Sequence, residues 1–528
     1  MPDPEMNSVS VRMYRGLLGD CFLLTLRAGG ERKFALIDCG VLQNVPSGGD
    51  LVASLPRPVT KMVGRAGLLA VQAGPDLIRR VAKDVLETTE GHIHLLILTH
   101  EHFDHLSGFG FASEAFQDPK VKIDELWMAW TEDPNDEQAR KLQARFTKGR
   151  QALAMAVELR AKLADEADER LKATADIAAF MGLHAEPKAS STAPKSTREM
   201  IDSMRWKARK TRYLEPGQVM GSVEGIGLKT YVLGPPRDED KLRKDLPSTG
   251  DAKEVYLTGL DEAAAVLSAV SAVAAREGIR QQLDTKDGPV SLEKADLAPF
   301  APHHLAGMEV TSSGDLRSKL ATAYFEMEDQ KYRQIGDEWA SAAETLALKM
   351  DSDTNNTSLA LAIELSDGQI LLFPGDAQVG NWLSWRSQTY PAKPKTGEGT
   401  VTIDDLLPRV VFYKVGHHGS HNATLKALGL EKMTNVRLTA AIPVVKAVAA
   451  VQGKGRTMPG QGWKMPYGDL FNDLRARTRG RLVCGDGDPK AEKKAFASAS
   501  TGAEPPITVA HDPNGLWVEL TIPTSHGL

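Results

Sequence analysis

Cysteine is scarce in this sequence, and its scarcity argues against both disulfide bonds and metal sites built from cysteine. Only three cysteines occur among 528 residues, Cys21, Cys39 and Cys484, and no two of them form a Cys-x-x-Cys pair. We therefore expect neither a disulfide framework nor a zinc site built from thiolates. Three scattered cysteines suit a reducing compartment, and we expect a cytoplasmic protein.

Long apolar runs and the marks of an export signal are also lacking. The longest apolar stretches, such as residues 95–98 and 410–413, have the length of a strand and fall far short of the ~20 residues that span a bilayer. The first five residues are acidic and proline-bearing, where a signal peptide needs a basic start followed by an apolar run. We expect a soluble protein with no membrane partner.

Neither sign of charge dominates the chain. It has 64 Lys and Arg residues against 69 Asp and Glu residues, which gives a formal net charge of −5. A protein that binds polyanions with its whole surface is thereby excluded, so any contact with nucleic acid must be local. A content of 42% hydrophobic and 25% charged residues predicts a large folded core and excludes a disordered chain or a coiled coil.

Strand-like and helix-like segments predict an α+β fold interrupted by two large, mainly helical insertions. Near the start, β-type residues predict strands at 9–14, 21–26, 34–37 and 94–98, with a helix over 74–88. Later strands are predicted at 226–233, 359–365, 370–373, 410–415, 438–441 and 516–522. Segments rich in Ala, Lys and Glu predict helical insertions over 131–212 and 238–353. The core then comprises 1–130, the strands of 213–237, and 354–528.

The densest group of chemically active side chains follows the strand predicted at 94–98. The run Thr-His-Glu-His-Phe-Asp-His at 99–105 has three imidazoles and two carboxylates within six residues, a density that packing does not explain. On a loop at a strand's end, His100 and His102 can converge on one cation while Asp104 and His105 turn toward a second. These residue types suit Zn, Mn or Fe.

Three further strand ends carry residues of the same chemistry. The run Val-Gly-His-His-Gly-Ser-His at 415–421 follows the strand predicted at 410–415. Asp376 follows the strand predicted at 370–373, and an aspartate there can bridge two cations about 3.5–4 Å apart. Asp38 ends the strand predicted at 34–37. A lone aspartate is more often an ordinary turn residue, but together these strand ends indicate one metal site.

In their order along the chain, Asp38, the His-x-His-x-Asp-His run, Asp376 and the late histidines resemble the metallo-β-lactamase superfamily. The resemblance implies an αββα sandwich with a dinuclear metal site at one edge. Three details are similar to the hydrolase domain of the competence protein ComEC and its free-standing relatives. They are Gly-Asp-Cys at 19–21, Asn-Thr-Ser-Leu at 356–359 and His-His-Gly-Ser at 417–420. The resemblance makes 1–130 and 354–528 the two halves of the fold.

The resemblance also implies a role for each matching residue. The implied metal ligands are His100 and His102 for one ion, Asp104, His105 and His417 for the other, and Asp376 between the two. Asp38 and Asn356 would support these ligands by hydrogen bonding. The candidates for catalysis are Asp104, His418 and His421. His418 either faces the pocket or supports its loop, and His421 and Ser420 either donate to a substrate oxyanion or cap a helix.

One position departs from the family's pattern. Most two-metal members carry a further histidine upstream of the Gly-Asp aspartate, where this chain has Asn355 and Asn356. We therefore expect two divalent metal ions, Zn or Mn, with one site that is weak, open to oxygen-loving ions or completed by water. His184, His303 and His304, within the insertions, are an alternative source of the missing ligand.

A dinuclear site of this kind predicts hydrolysis, because two cations activate water and stabilise the leaving oxygen. Similarity to ComEC-type domains favours a phosphodiesterase or nuclease, acting in nucleic-acid turnover or defence. A basic stretch with Arg205, Lys207, Arg209 and Lys210 beside Trp206 would track a phosphate backbone, unless it is simply a solvated helix face.

Two other functions remain open from the sequence. A small-molecule hydrolase, acting on a lactone, thioester or cyclic nucleotide, would use the insertions as a lid over a closed pocket. A metal-binding interaction module, as in a defence-type complex, would use them to bind a partner protein.

Overall fold

The computed structural model describes residues 8–28, 30–42, 45–163, 181, 196–221, 229–244, 282–285, 288–291, 338–393, 398–499 and 505–524. Within these ranges no helix combines the length and the apolar character needed to cross a bilayer.

Strands occur in both halves of the chain and form two large mixed sheets and two small hairpins. In chain order they are β1 (Ser8–Tyr14), β2 (Phe22–Ala28), β3 (Glu31–Ile37), β4 (His92–Ile97), β5 (Lys122–Ala129), β6 (Ala208–Leu214), β7 (Val219–Met220), β8 (Lys229–Gly234), β9 (Gln282–Thr285), β10 (Gly288–Ser291), β11 (Ala360–Glu364), β12 (Ile370–Phe373), β13 (Tyr390–Lys393), β14 (Glu398–Val401), β15 (Val410–Lys414), β16 (Thr439–Ile442), β17 (Leu482–Cys484), β18 (Thr508–His511) and β19 (Trp517–Pro523). The first sheet has the order β18-β19-β1-β2-β3-β4-β5-β6, and the second has the order β17-β16-β15-β12-β11-β8-β7.

The helices lie mainly between these strands. They are α1 (Gly48–Ser54), α2 (Arg57–Val63), α3 (Arg65–Leu69), α4 (Gly74–Thr88), α5 (Phe103–Phe111), α6 (Ser113–Gln117), α7 (Glu137–Leu163), α8 (Thr197–Lys207), α9 (Glu239–Leu242), α10 (Glu338–Asn356), α11 (Val379–Ser384), α12 (Ile403–Leu406), α13 (Lys446–Ala449), α14 (Gly468–Arg477) and α15 (Pro489–Ser498). Single 3₁₀ turns occur at Trp130–Glu132, Trp385–Ser387, Leu407–Arg409, His417–Gly419, Leu430–Lys432 and Gly453–Arg456.

Alternating side chains of the central strands explain how the two sheets stack. Leu371 and Phe373 of β12 point into the apolar layer shared by both sheets, whereas Leu372 points into the layer between the second sheet and its helices. In β4, Leu95 joins the shared layer and Leu96 packs with α4 and α5. Period-two alternation with both faces apolar buries each sheet on both sides. The result is a helix–sheet–sheet–helix order, in agreement with the α+β class expected.

The parallel part of each sheet brings the strand ends of interest to one edge. β3 pairs in parallel with β4, and β12 pairs in parallel with β15. Parallel neighbours end at the same edge of their sheet. The residues that follow these four strands are the ones singled out above, so the fold gathers Asp38, the 99–105 run, Asp376 and the 415–421 run at one place.

Several predicted elements are confirmed and others differ. The helix predicted at 74–88 is α4, and the strand predicted at 370–373 is β12. The range 131–212 contains α7 and α8, but it also contains the start of β6, which forms a parallel edge strand beside β5. In the range 238–353, β9 and β10 form a hairpin where mainly helix was expected. Most of that range lies outside the described residues.

Candidate metal centre

Asp38 is the centre of a buried hydrogen-bond network at the end of β3. Its Oδ1 accepts the backbone N–H of Thr99 at 2.8 Å, and its Oδ2 accepts the Thr99 hydroxyl at 2.6 Å. The same Oδ2 lies 2.8 Å from Nδ1 of His105, which must be the donor because a carboxylate accepts. Asp38 therefore holds the histidine loop by hydrogen bonding, and with Asp20 and His105 it also forms a buried group of three possible ligands.

The network of Asp38 also sets the orientation of His100. The Thr99 hydroxyl donates to Asp38, so it accepts from Nδ1–H of His100 at 3.0 Å. That leaves the lone pair of His100 on Nε2, which lies 3.0 Å from Nδ1 of His102. Burial, followed by the neighbouring His105 and His102, holds the pKa of His100 well below its usual range. A neutral imidazole with an inward lone pair is the form that binds a metal ion.

A second inward-facing histidine comes from the opposite sheet. Nδ1 of His418 donates to the carbonyl oxygen of Pro443 at 2.8 Å, and Nε2 lies 2.9 Å from Oδ2 of Asp104. His417 and His418 both have positive φ, 44° and 50°, a left-handed conformation that is strained for residues other than glycine. Strain of this kind clusters at functional sites.

These side chains converge on Asp376. Nε2 of His105 lies 3.3 Å from Oδ2 of Asp376 and 3.8 Å from Oδ2 of Asp104. Two of the three buried groups of three possible ligands contain Asp376, with all ligand atoms of each group within 4.8 Å of one another. The first group is His100, His105 and Asp376, and the second is Asp104, Asp376 and His418. Asp376 belongs to both, as a bridging carboxylate would.

The sequence interpretation missed a buried lysine in this centre. Lys414, the last residue of β15, donates to Oδ1 of Asp376 at 2.7 Å and to the Gly375 carbonyl at 2.8 Å, and it contacts Asp20. Although burial opposes it, the two carboxylates raise the pKa of Lys414 above its usual value. Burial raises the pKa of Asp376, but Lys414 and His105 outweigh burial and hold this pKa well below the usual range. The sequence signal for this buried lysine was its position near the end of the otherwise apolar strand predicted at 410–415.

His102 is less closely associated with the other ligands than expected. It lies beside His100, but it belongs to none of the three-ligand groups among the described residues. Its Nε2 lies 3.8 Å from Oδ1 of Asp351 on α10. Burial lowers the pKa of His102 to about 4. Burial and the negative charges of Asp104 and Asp376 raise the pKa of Asp351 to about 8. Asp351 is a second residue of the site that sequence interpretation missed.

The two asparagines at the position of the family's further histidine have structural partners. Oδ1 of Asn356 accepts the backbone N–H groups of Gln378 and Asn381, both at 3.2 Å, and its Nδ2 donates to the Lys244 carbonyl at 2.9 Å. Asn355 donates to Asp351 at 3.2 Å. Asn356 therefore fixes the loop after Asp376 instead of facing the ligands. His184, His303 and His304 lie outside the described residues.

The late histidines are arranged differently from the expectation. His418, not His417, lies within the ligand groups. His417 contributes its backbone N–H, which donates to Oδ1 of Asp376 at 2.8 Å, while its Nδ1 lies 3.3 Å from Nε2 of Gln378. His421 is exposed, with its ring 6.2 Å from that of Tyr467. Ser420 donates to Asn422 and follows the 3₁₀ turn His417–Gly419, and the next helical element begins only at Leu430.

Glu101, between His100 and His102, ties the ligand loop to the helices of 131–212. Its carboxylate accepts the Thr197 hydroxyl at 2.9 Å and Nη2 of Arg198 at 2.7 Å, both from α8. Nη1 of Arg150 on α7 lies 3.5 Å away. Burial opposes ionisation, but the two arginines outweigh it and lower the pKa of Glu101.

The basic stretch expected to bind nucleic acid is largely engaged in internal contacts. Nη1 of Arg205 donates to Asp202 at 2.7 Å, Nζ of Lys207 donates to the Asp118 carbonyl at 2.7 Å, and Nζ of Lys210 lies 3.9 Å from Glu125. Arg209 and Trp206 are exposed, and Trp206 retains 89% of its surface. Cations that already contact acids or carbonyl oxygens attract phosphate less strongly.

The residues present fit a divalent cation. Oδ1 of Asp104 and Nε2 of His105 are buried, yet neither has a hydrogen-bond partner among the described residues. Buried polar atoms normally have partners, so these two atoms are the ones that a cation would engage. Imidazole nitrogen and carboxylate oxygen suit Zn or Mn. The fold and this cluster of candidate ligands indicate a metal-binding protein.

The comparison with known families agrees with this class. Residues 69–185 match the sequence model of the metallo-beta-lactamase superfamily, a range that begins at the end of α3 and includes the whole 99–105 run. Asp38, Asp376 and His418 lie outside the matched range. No curated protein matches the chain. The match and the candidate metal-binding groups support a metal-dependent hydrolase with a metallo-β-lactamase-fold domain.

Proposed function

We propose that the protein is a phosphodiesterase of the nuclease type that works with two metal ions, similar to the hydrolase domain of ComEC. The observation that carries the proposal is the position of Asp376 in both ligand groups. Enzymes that cleave phosphodiesters with two metal ions use ions about 3.5–4 Å apart that are bridged in this way. The His-His-Gly-Ser run at 417–420 supplies the family analogy.

We assign one ion to each of the two ligand groups. His100, His105 and Asp376 would hold one, and Asp104, His418 and Asp376 the other, with Zn²⁺ or Mn²⁺ as the ions that suit these donors. When bound, such ions supply an activated water and stabilise the negative charge on the leaving oxygen.

The chain's own residues prepare the site for this chemistry. Asp38 and the Pro443 carbonyl each hold one histidine with its Nδ1 proton pointing away from the centre, so that the Nε2 atoms of His105 and His418 face the carboxylates. Lys414 and the His417 N–H hold Oδ1 of Asp376, which leaves its Oδ2 toward His105. Outer partners of this kind orient ligands and cost tenfold to a hundredfold in metal affinity or activity when lost.

The test combines metal content with hydrolysis. We expect nearly two metal ions per chain, and cleavage of bis-p-nitrophenyl phosphate and of single- or double-stranded DNA with Mn²⁺ or Zn²⁺ added. Asp376→Ala should abolish both metal binding and cleavage, whereas Asp404→Ala, at an exposed aspartate paired with Arg386, should change neither. Two bound ions without cleavage of any phosphodiester would exclude this function.

A small-molecule hydrolase is a second candidate, favoured by the approach of two helices to the ligand loop. Arg150 on α7 contacts Glu101, and Asp351 on α10 lies near His102. The helices pack closely, since a Cβ at Gly149 of α7 would lie 2.7 Å from Cε of Met350. Hydrolysis of a lactone or thioester, with no action on phosphodiesters, would identify this function. Metal binding with no hydrolysis would favour an interaction module.

A further inference from the structure

Two segments of the chain near the candidate metal centre contain cations and no acids. Between Glu431 and Asp469 the sequence has six Lys and Arg residues without one Asp or Glu. Between Asp50 and Asp76 it has Arg57, Lys61 and Arg65, again without an acid. In a chain with a net charge of −5, two such segments are unusual.

The fold places the two segments side by side. A Cβ added at Gly460 would lie 3.6 Å from Sδ of Met62 on α2. A Cβ added at Gly67 on α3 would lie 3.8 Å from Cβ of Ala447 on α13. They form one surface, which we call the basic surface. Its exposed cations include Arg57, Lys61, Arg65, Arg456 and Lys464. Two further exposed cations of the second segment, Lys432 and Lys446, pair with Asp404 and Asp486.

Five cations of the basic surface are not neutralised internally. None of the side chains of Arg57, Lys61, Arg65, Arg456 and Lys464 forms an ion pair with a described residue. Of the acids that flank the first segment, Asp50 accepts the Ser47 hydroxyl at 2.6 Å and Asp76 pairs with Arg79 at 3.2 Å. The 205–210 stretch differs, because acids and carbonyls engage its cations. Unpaired cations attract a phosphate backbone, and this attraction weakens as the salt concentration rises.

The basic surface is joined to the metal centre by a fixed loop. The backbone N–H of Tyr467 donates to the Gly419 carbonyl at 2.8 Å, and a Cβ at Gly419 would lie 2.8 Å from Cβ of Pro466. Gly419 directly follows His418, which faces Asp104. The exposed rings of His421 and Tyr467 lie at this junction, where a base could stack on them.

We propose that the basic surface, and not the 205–210 stretch, binds a single strand of nucleic acid and leads it to the metal centre. The inference rests on the proposed phosphodiesterase function. Cations spaced along α2 and the 453–467 loop contact phosphates, while the aromatic pair beside His418 holds a base next to the ligands. An anionic membrane is the other polyanion that such a surface could meet.

Matched double variants test the proposal. Arg456→Ala/Lys464→Ala and Arg57→Ala/Lys61→Ala each remove two cations from the basic surface, and Arg209→Ala/Lys210→Ala removes two from the other stretch. Binding of a fluorescein-labelled single-stranded DNA is measured by anisotropy over a range of salt concentrations. For the first two variants we expect weaker binding and a slope of log affinity against log salt that is shallower by about 0.7 for each lost phosphate contact. The control variant should keep the parent's affinity and slope.

Hydrolysis of bis-p-nitrophenyl phosphate, too small to reach the surface, separates this inference from the proposed function. All three variants should hydrolyse it like the parent. The parent protein could bind DNA through the basic surface and yet hydrolyse no phosphodiester. That result would refute the proposed phosphodiesterase function but support the basic surface as a site that binds nucleic acid. Equal or larger loss in the control variant overturns the inference, as does binding to phosphatidylserine vesicles without binding to DNA.

Discussion

His418 and Asp104 lie 314 residues apart in the chain, yet Nε2 of the histidine is 2.9 Å from Oδ2 of the aspartate. Because Nδ1 of His418 donates to the Pro443 carbonyl, a neutral ring would face the carboxylate with a lone pair. Without a cation between them, the ring must take up a proton: burial lowers the pKa of His418, but the hydrogen bond to Asp104 and the negative charges of Asp376, Asp104 and Asp20 together raise it. A metal ion satisfies both groups without that proton.

This relationship predicts different effects for the two adjacent histidines. His418→Ala should lower metal content by about one ion per chain and reduce hydrolysis by about a hundredfold or more, because a ligand is lost. His417→Ala should retain both ions, since its backbone N–H, which any residue supplies, is its contact with Asp376. Elemental analysis of the purified variants gives the comparison. Loss of an ion from His417→Ala alone would restore the assignment expected from the sequence.

Lys414 predicts a strong effect on stability. Lys414→Met leaves Asp376 and Asp20 buried without their cation, which typically costs about 3–5 kcal/mol of unfolding free energy. Urea denaturation after removal of metal by EDTA measures it. Asp20→Asn combined with Lys414→Met should recover part of the loss, because one uncompensated charge is gone. A single variant as stable as the parent would show that the lysine is not buried as described.

Glu101 predicts a change in metal affinity without a change of ligand. Glu101→Gln keeps the shape of the side chain but weakens its bonds to Arg198 and Arg150, so the loop that carries His100 and His102 loses its support. We expect affinity for Zn²⁺, measured by competition with a chelator, to fall by about tenfold or more. Glu132→Gln is the matched control, because Glu132 also binds Arg198, at 2.8 Å, but is not in the ligand loop. Equal losses in both variants would point to general loosening of the helices.

Asp351 predicts a pH dependence of stability in the metal-free protein. Its pKa rises from 3.8 to about 8 on folding, so the folded state favours the protonated form. The stabilisation is complete below pH 3.8 and is lost as the pH rises through about 8. Asp351→Asn, which resembles the protonated side chain, should flatten the decline in unfolding free energy across this window. Urea titrations at several pH values test it, and parallel curves for parent and variant would contradict it.

Much of the site's location followed from local sequence. Short apolar strands that end in His or Asp predicted the shared edge, because parallel strands end together and only their ends expose polar groups to a common centre. The helix at 74–88 was equally predictable from its apolar spacing. These features depend on residues within one element.

The remainder depended on contacts between distant residues or on local backbone geometry. Which of His417 and His418 faces the ligands is set by two consecutive positive φ angles, which no periodicity indicates. Lys414 resembles a solvent-facing strand end until Asp20, from the first hairpin, is placed against it. The 205–210 stretch appeared free because two of its partners, the Asp118 carbonyl and Glu125, lie far away in sequence.

The carboxylate of Glu101 also bears on how this protein can vary among its relatives. Its two arginine partners, Arg150 and Arg198, stand on either side of a long span of chain, so that span can change in length only while both ends are kept. A relative that lost both arginines would bury a glutamate without a cation, which is strongly unfavourable. Glutamate at this place in the ligand loop should thus be inherited together with both arginines, and a neutral residue should replace it wherever they are missing.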